Sequence, residues 1–119
     1  MGDLFLLVLA GHLLGDFVMQ TDWQASNKES SWRADLAHVL TYHVTLAALI
    51  LPVWHDWRAV WFLGISAATH AFVDRRWPTR LLLGYTGRKD FAKVFWGVIA
   101  TDQALHLSIL AISFYWLSR

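Results

Sequence analysis

The stretch LAHVLTYHVTLAALILPVW, Leu36 to Trp54, contains no Asp, Glu, Lys or Arg over its whole length. At about 1.5 Å per residue a helix of that length crosses most of the ~30 Å hydrocarbon core of a bilayer, so the stretch reads as a transmembrane helix. Three further apolar segments flank it at comparable lengths: Leu4 to Thr21, Ala59 to Trp77 and Phe91 to Leu117. Polar punctuation separates them, from Asp22 to Asp35, from Pro52 to Arg58 and from Arg75 to Asp90, the last with Pro78, Gly84 and Gly87. No strand-like alternation competes. The expected fold is all-α, an integral membrane bundle of four transmembrane helices forming one domain over residues 1–119, with spans at about 4–21, 36–54, 59–77 and 91–117.

Composition supports the same class. Hydrophobic residues make up 56% and charged residues 16% of the chain, an apolar excess over soluble domains that goes with a positive mean hydropathy. Cysteine is absent, which excludes disulfides, thiolate zinc sites and cysteine nucleophiles, and leaves nitrogen and oxygen as the ligands for any metal. A net charge of +1 gives no reason to expect a nucleic-acid partner. The first apolar stretch follows Met1-Gly2-Asp3 without a basic n-region and is expected to be a helix of the mature chain.

Tryptophans bracket the segments. Trp23, Trp32, Trp77 and Trp96 flank the first and third breaks, while Trp54, Trp57, Trp61 and Trp116 mark the opposite ends, as interfacial aromatic belts do. The first and third breaks with their margins hold Lys28, Arg33, Arg75, Arg76, Arg80, Arg88, Lys89 and Lys93, against Arg58 and Arg119 on the other side. The positive-inside rule then predicts a multi-pass protein of the bacterial inner membrane with both termini on the outer side.

Only the second span is free of ionisable Asp, Glu, Lys or Arg, and the exceptions elsewhere follow a pattern. Asp16, Asp74 and Asp102 each lie four residues from a histidine, His12, His70 and His106, so each pair shares a helix face. His12, Asp16 and Gln20 form one stripe of the first helix, and His38 with Tyr42 repeats the spacing on the second. His43 is rotated about 100° from Tyr42 and falls off that stripe. Asp16, His38, His70 and Asp102 also lie at one depth, ~9–10 Å along the helix axis from the flanking Trp of the basic side. Ionisable groups at such depth cost several kcal/mol each unless paired, hydrated or metal-bound, and convergence on one cavity relieves that cost.

Taken singly, each His–Asp pair is as well explained by mutual hydrogen bonding. Together His12, Asp16, His38, His70, Asp74, Asp102 and His106 offer the imidazole and carboxylate mix suited to zinc, manganese or iron, with donors enough for one or two ions. Such a centre lowers the pKa of bound water and clamps the oxygens of a displacement, chemistry that fits phosphoester hydrolysis. Gln20 and Gln103 are placed to orient ligands or substrate, and Tyr42 either bonds a ligand histidine or donates to a leaving group. Arg75, Arg76 and Arg80 serve as topology determinants or hold an anionic headgroup at the mouth. The ferritin-like di-iron pattern needs several glutamates, and this chain has Glu29 alone. Gly11 and Gly15 form the small-x-x-x-small spacing of close helix packing.

The runs His12-Leu13-Leu14-Gly15-Asp16-Phe17 and Gln20-Thr21-Asp22-Trp23, then His38 with Tyr42, His70 with Asp74, and Asp102-Gln103-Ala104-Leu105-His106, resemble the bacterial membrane family catalogued as domain of unknown function 3307. That resemblance covers nearly the whole chain and implies a small multi-spanning membrane protein. More distantly the His and Asp pattern is similar to membrane-bound metal-dependent hydrolases and to the helical zinc phospholipase C and nuclease group, which implies a His/Asp-lined zinc site cleaving phosphodiesters. The chain departs from those enzymes in lacking their extra soluble segments and most of their acidic ligands.

The leading expectation is a metal-dependent hydrolase acting on a phosphoester, a lipid headgroup being the natural substrate, with its site open to the cytoplasmic side. Two alternatives use the same residues: a proton or divalent-cation transporter, and a small accessory subunit whose buried pairs fix helix register. Apolar outer halves such as Leu46 to Leu51 and Ile109 to Ile112 disfavour a simple pore. Membrane lipids are the expected partners, and homo-oligomerisation is left open. A soluble four-helix bundle would carry charged outer faces that these helices lack.

Overall fold

A computed structural model describes residues 2–87, 90 and 95–119. All regular structure among the described residues is helical. The first helix, α1, runs Gly2–Leu13 and continues into a π-helical turn, Leu14–Val18. A short helix α2, Asp22–Asn27, follows, then the long α3, Trp32–Ile50, and α4, Trp57–Val73. The short α5, Trp77–Tyr85, precedes the last long helix, α6, Phe95–Leu117. Arg88, Lys89 and Lys93, the start of the fourth expected segment at Phe91 and the Trp96 side chain lie outside the described residues.

Local chemistry sets the boundaries. Ser31 caps α3 by accepting from the Ala34 amide, and Asp56 caps α4 by accepting from the Arg58 amide at 2.7 Å. The α3 helix stops at Ile50, two residues before Pro52, which cannot supply the next helical amide hydrogen. The segments expected as plain polar breaks therefore contain two helices, and the first of them starts with a full capping box. Thr21 accepts from the Gln24 amide while the Gln24 side chain accepts from the Thr21 amide. Gln24 also donates to Thr41 Oγ1 at 3.3 Å, which fixes α2 against α3.

The four long elements pack antiparallel in sequence order. Gly11 faces Leu46 and Gly15 faces Tyr42, so α1 and α3 run in opposite directions and nearly touch. A Cβ on Gly15 would sit 2.7 Å from the Tyr42 ring and 3.1 Å from the Tyr42 Cα, which makes glycine necessary there, while one on Gly11 would displace a Leu46 methyl at 2.6 Å and press the Leu46 Cα at 3.3 Å. Phe62 meets Phe114 and His70 meets His106, which sets α4 against α6, while Phe5 against Phe114 and His12 against His106 bring α6 back to α1.

The bundle interior has two zones. Val8, Leu46, Ile50, Trp54, Phe62, Leu110 and Phe114 form an apolar cluster toward the chain termini. The other zone buries His12, Asp16, His38, His70, Asp74, Asp102 and His106 in the same layer of the four helices. Among the described residues one helix, Gly97–Leu117, is long and apolar enough to cross a membrane by length and composition. The segment expected to be the cleanest span is not that helix. Its α3 takes in Arg33 and Asp35 at the start and ends at Ile50, so the charge-free stretch of Leu36 to Trp54 is only partly helical.

Candidate metal centre

The π turn decides which way the first helix presents its polar side chains. The Met19 amide donates to the Leu14 carbonyl at 2.8 Å, a five-residue step that inserts one extra residue per turn. His12 and Asp16, expected on one stripe, consequently point to different partners. Gln20 falls beyond the helix end and accepts from Lys28 Nζ at 3.4 Å.

Asp16, His38, His70 and Asp74 bring one ligand atom each within 4.8 Å of one another, all four residues being buried. The separations are short: His38 Nε2 lies 2.9 Å from Asp16 Oδ1, 3.1 Å from His70 Nε2 and 3.2 Å from Asp74 Oδ2. His70 Nε2 lies 2.9 Å from Asp74 Oδ2 and 3.6 Å from Asp16 Oδ1. One ring nitrogen carries one proton or one lone pair, so it cannot hydrogen-bond to three neighbours at once. A cation at their common focus can accept all four. Four nitrogen and oxygen ligands at about 2.0–2.2 Å in a tetrahedron stand about 3.3–3.6 Å apart, and the observed edges of 2.9–3.6 Å need to open by only a few tenths of an ångström to admit one.

Asp74, the C-cap of α4, has a second oxygen directed elsewhere. Its Oδ1 lies 3.3 Å from His106 Nε2, and Asp74, Asp102 and His106 make a second donor group. His106 Nδ1–H donates to the Asp102 carbonyl at 2.8 Å, one turn back on α6, which leaves Nε2 with its lone pair toward the carboxylate. His106 Nε2, Asp102 Oδ1 and both Asp74 oxygens are buried without a well-aligned hydrogen bond, although imidazole and ammonium nitrogens crowd the Asp74 oxygens at 2.9–3.6 Å. Orphaned buried acceptors of this kind are costly unless something positive joins them, so the residues present fit a divalent cation.

His12 lies beside these groups. Tyr42 O–H donates to His12 Nδ1 at 2.9 Å, His12 Nε2–H donates to Gln103 Oε1 at 2.9 Å, and Gln103 Nε2–H donates to Asp16 Oδ2 at 2.6 Å. The amide of Gln103 fixes the direction of this chain, because its nitrogen can only donate and its oxygen only accept. The chain holds Asp16 by one oxygen and leaves the other toward His38 and His70. Tyr42 is fully buried between His12, Gly15 and His70, and its hydroxyl faces His12. His43 stays off both groups, donating from Nδ1 to the Val39 carbonyl and accepting from Ser66 at 2.9 Å.

A cleft of about 320 Å³ opens beside the centre, lined by Asp16, Gln20, Lys28, Arg76, Asp102 and Gln103 among others. Arg76 holds a left-handed backbone, φ 60°, where α4 turns into α5, and ion-pairs with Glu29 at 3.6 Å. Arg80 pairs with the same carboxylate at 2.8 Å, and Arg75 stacks over Trp32 at 4.2 Å. Of the three arginines expected at the mouth, Arg76 lines the cleft.

Two residues escaped the sequence reading. Lys28, counted only as a topology charge, is 6% exposed, with its ammonium 3.7 Å from Asp16 Oδ1 and 3.6 Å from Asp74 Oδ1. The Thr21-x-x-Gln24 spacing was the available signal, since it starts the helix that carries Lys28 inward. Asp35 is fully buried one turn before His38, with neither oxygen hydrogen-bonded, and His38 Nδ1 is likewise without a partner.

A family model described as protein of unknown function, DUF3307, matches residues 4–119. No curated protein and no solved structure matches the chain.

Proposed function

We propose, for a chain that belongs to the DUF3307 family, a metal-dependent hydrolase of the bacterial inner membrane that acts on a phosphoester. The carrying observation is the convergence of Asp16 Oδ1, His38 Nε2, His70 Nε2 and Asp74 Oδ2 within the span of a single ion's ligand shell, with more contacts on one nitrogen than hydrogen bonding can satisfy. Zinc suits two imidazoles and two carboxylates, and manganese or iron could take the same donors. When bound, the metal supplies Lewis acidity and a water of lowered pKa. Gln103 holds Asp16 in place, Gln20 holds Lys28, and Lys28 and Arg76 give the cleft positive groups for a phosphate, a lipid headgroup being the natural source.

The membrane assignment draws on the distribution of polarity. Over residues 4–18, 36–50, 59–73 and 97–117 the Asp, Glu, Lys and Arg residues are Asp16 and Asp102 alone, and both are buried. The outward side chains of those stretches are Leu6, Leu40, Val44, Val60, Trp61 and Ile112, each more than half exposed. A soluble bundle arranges its helices the other way round, with charge outside. In this reading four spans place both termini outside and the cleft toward the cytoplasm, where Lys28, Arg33, Arg75, Arg76 and Arg80 lie.

The test is elemental analysis of detergent-purified protein followed by a phosphodiesterase and phosphomonoesterase screen with the metal found. Bound metal and turnover are expected in the wild type, and His70→Ala should lose both. Full retention of metal by His70→Ala would sink the reading.

A further inference from the structure

Lys28 occupies the C-cap position of α2, and the Gln24–Thr41 bond pulls that short helix back over the polar zone. Its ammonium rests 3.6 Å from Asp74 Oδ1, the oxygen that turns away from the four-donor group and toward His106. It also lies 3.7 Å from Asp16 Oδ1 and donates to Gln20. A lysine so deeply placed cannot be a solvated surface charge. It stands beside Asp74, Asp102 and His106, which hold three of the donors a second ion would require.

We propose that Lys28 takes the place of a second metal: the chain holds one divalent cation, among Asp16, His38, His70 and Asp74, and the ammonium neutralises the face of Asp74 that looks toward Asp102 and His106. The inference rests on the metal-centre reading above and fixes its stoichiometry. Charge balance supports it. Over the two donor groups and Lys28, Asp16, Asp74 and Asp102 carry three negative charges, Lys28 one positive and a single divalent ion two, which sum to zero with neutral imidazoles; Asp35, a fourth buried carboxylate, belongs to neither group and is set against the Arg75 cation. A second divalent ion would leave those same groups at plus two in a low-dielectric interior, where unbalanced charge is strongly disfavoured. Without the lysine the one-metal centre carries minus one, and the second donor group then attracts a cation. Because Lys28 also lines the cleft, an anionic oxygen entering there meets an ammonium where a dinuclear centre would present its other metal.

The experiment counts metal in the full-length protein, purified in detergent, loaded with zinc alone and freed of excess. One zinc per chain is expected for the wild type, for Lys28→Arg and for Asp102→Asn, and a count approaching two for Lys28→Met. Two ions in the wild type would overturn the proposal and leave the metal-centre reading standing. So would a single ion in a folded Lys28→Met. No zinc in the wild type removes both readings. Should Lys28→Met not fold, the wild type and Asp102→Asn still decide, since a dinuclear centre loses one of two ions when Asp102 is changed.

Discussion

The two zones of the bundle interior are built from the same four long helices and spend their burial on different ends. Toward the termini, Trp54, Phe62 and Phe114 stack with ring centres 5.5–6.2 Å apart over Val8, Leu46 and Ile50, and this zone needs no ion to be satisfied. Toward the basic loops, the same helices bury carboxylates and imidazoles whose acceptors remain unpaired. A zone of well-packed rings supplies contact energy that tolerates a costly neighbour, and it closes the bundle above the polar layer. That closure favours a site entered from one end over a route through the protein, because a conduction path needs polar groups at every depth. The general lesson is a division of labour along the helix axis: one half holds the helices in register, and the other uses that register to aim ligands.

Breaking the polar half at its shared member should have the largest effect. Asp74 contributes an oxygen to each donor group, so Asp74→Ala is expected to bring bound metal to background in elemental analysis. Metal held at the wild-type level would mean that the two groups are independent of Asp74. Next comes the apolar half. Phe62→Ala removes a fully buried ring and should cost about 3–5 kcal/mol in reversible denaturation, while the folded fraction keeps its metal count. A parallel loss of metal would show that the zones are not separable. The comparison is sharpened by the smallest change, Gln103→Ala, which frees Asp16 Oδ2 and should weaken metal binding about 10–100-fold in a chelator competition without altering the count at saturation. An unchanged affinity would make the Tyr42–His12–Gln103–Asp16 chain a packing feature only.

How much of this was legible beforehand differs between level and direction. The long helices and the polar layer followed from spacing, because residues four apart rise together along one face whatever the helix packs against; the short helices α2 and α5 inside the polar breaks did not. The glycine pair at Gly11 and Gly15 likewise announced a close helix approach, though not that its partner is α3. His12 shows where such reasoning stops. The spacing put it one turn beyond Asp16 on the same face, but the π turn at Leu14–Val18 rotates Asp16 away from it, and the ring bonds Tyr42 and Gln103. Lys28 was hidden for another reason, since a lysine in a polar segment reads as a solvated charge until the path of that segment is known.

The sequence by itself determined the helical class, the apolar exterior, the depth of the polar layer and the family, all properties carried by composition and by axial rise. Only the tertiary structure decided which atoms meet: that Asp74 serves two donor groups, that His12 supports Asp16 through Gln103, and that α2 folds back to bring an ammonium inside. The physical reason is rotational. Axial position is fixed by residue number, whereas azimuth depends on a single inserted residue, on how closely two helices approach, and on where a short connecting helix is pinned.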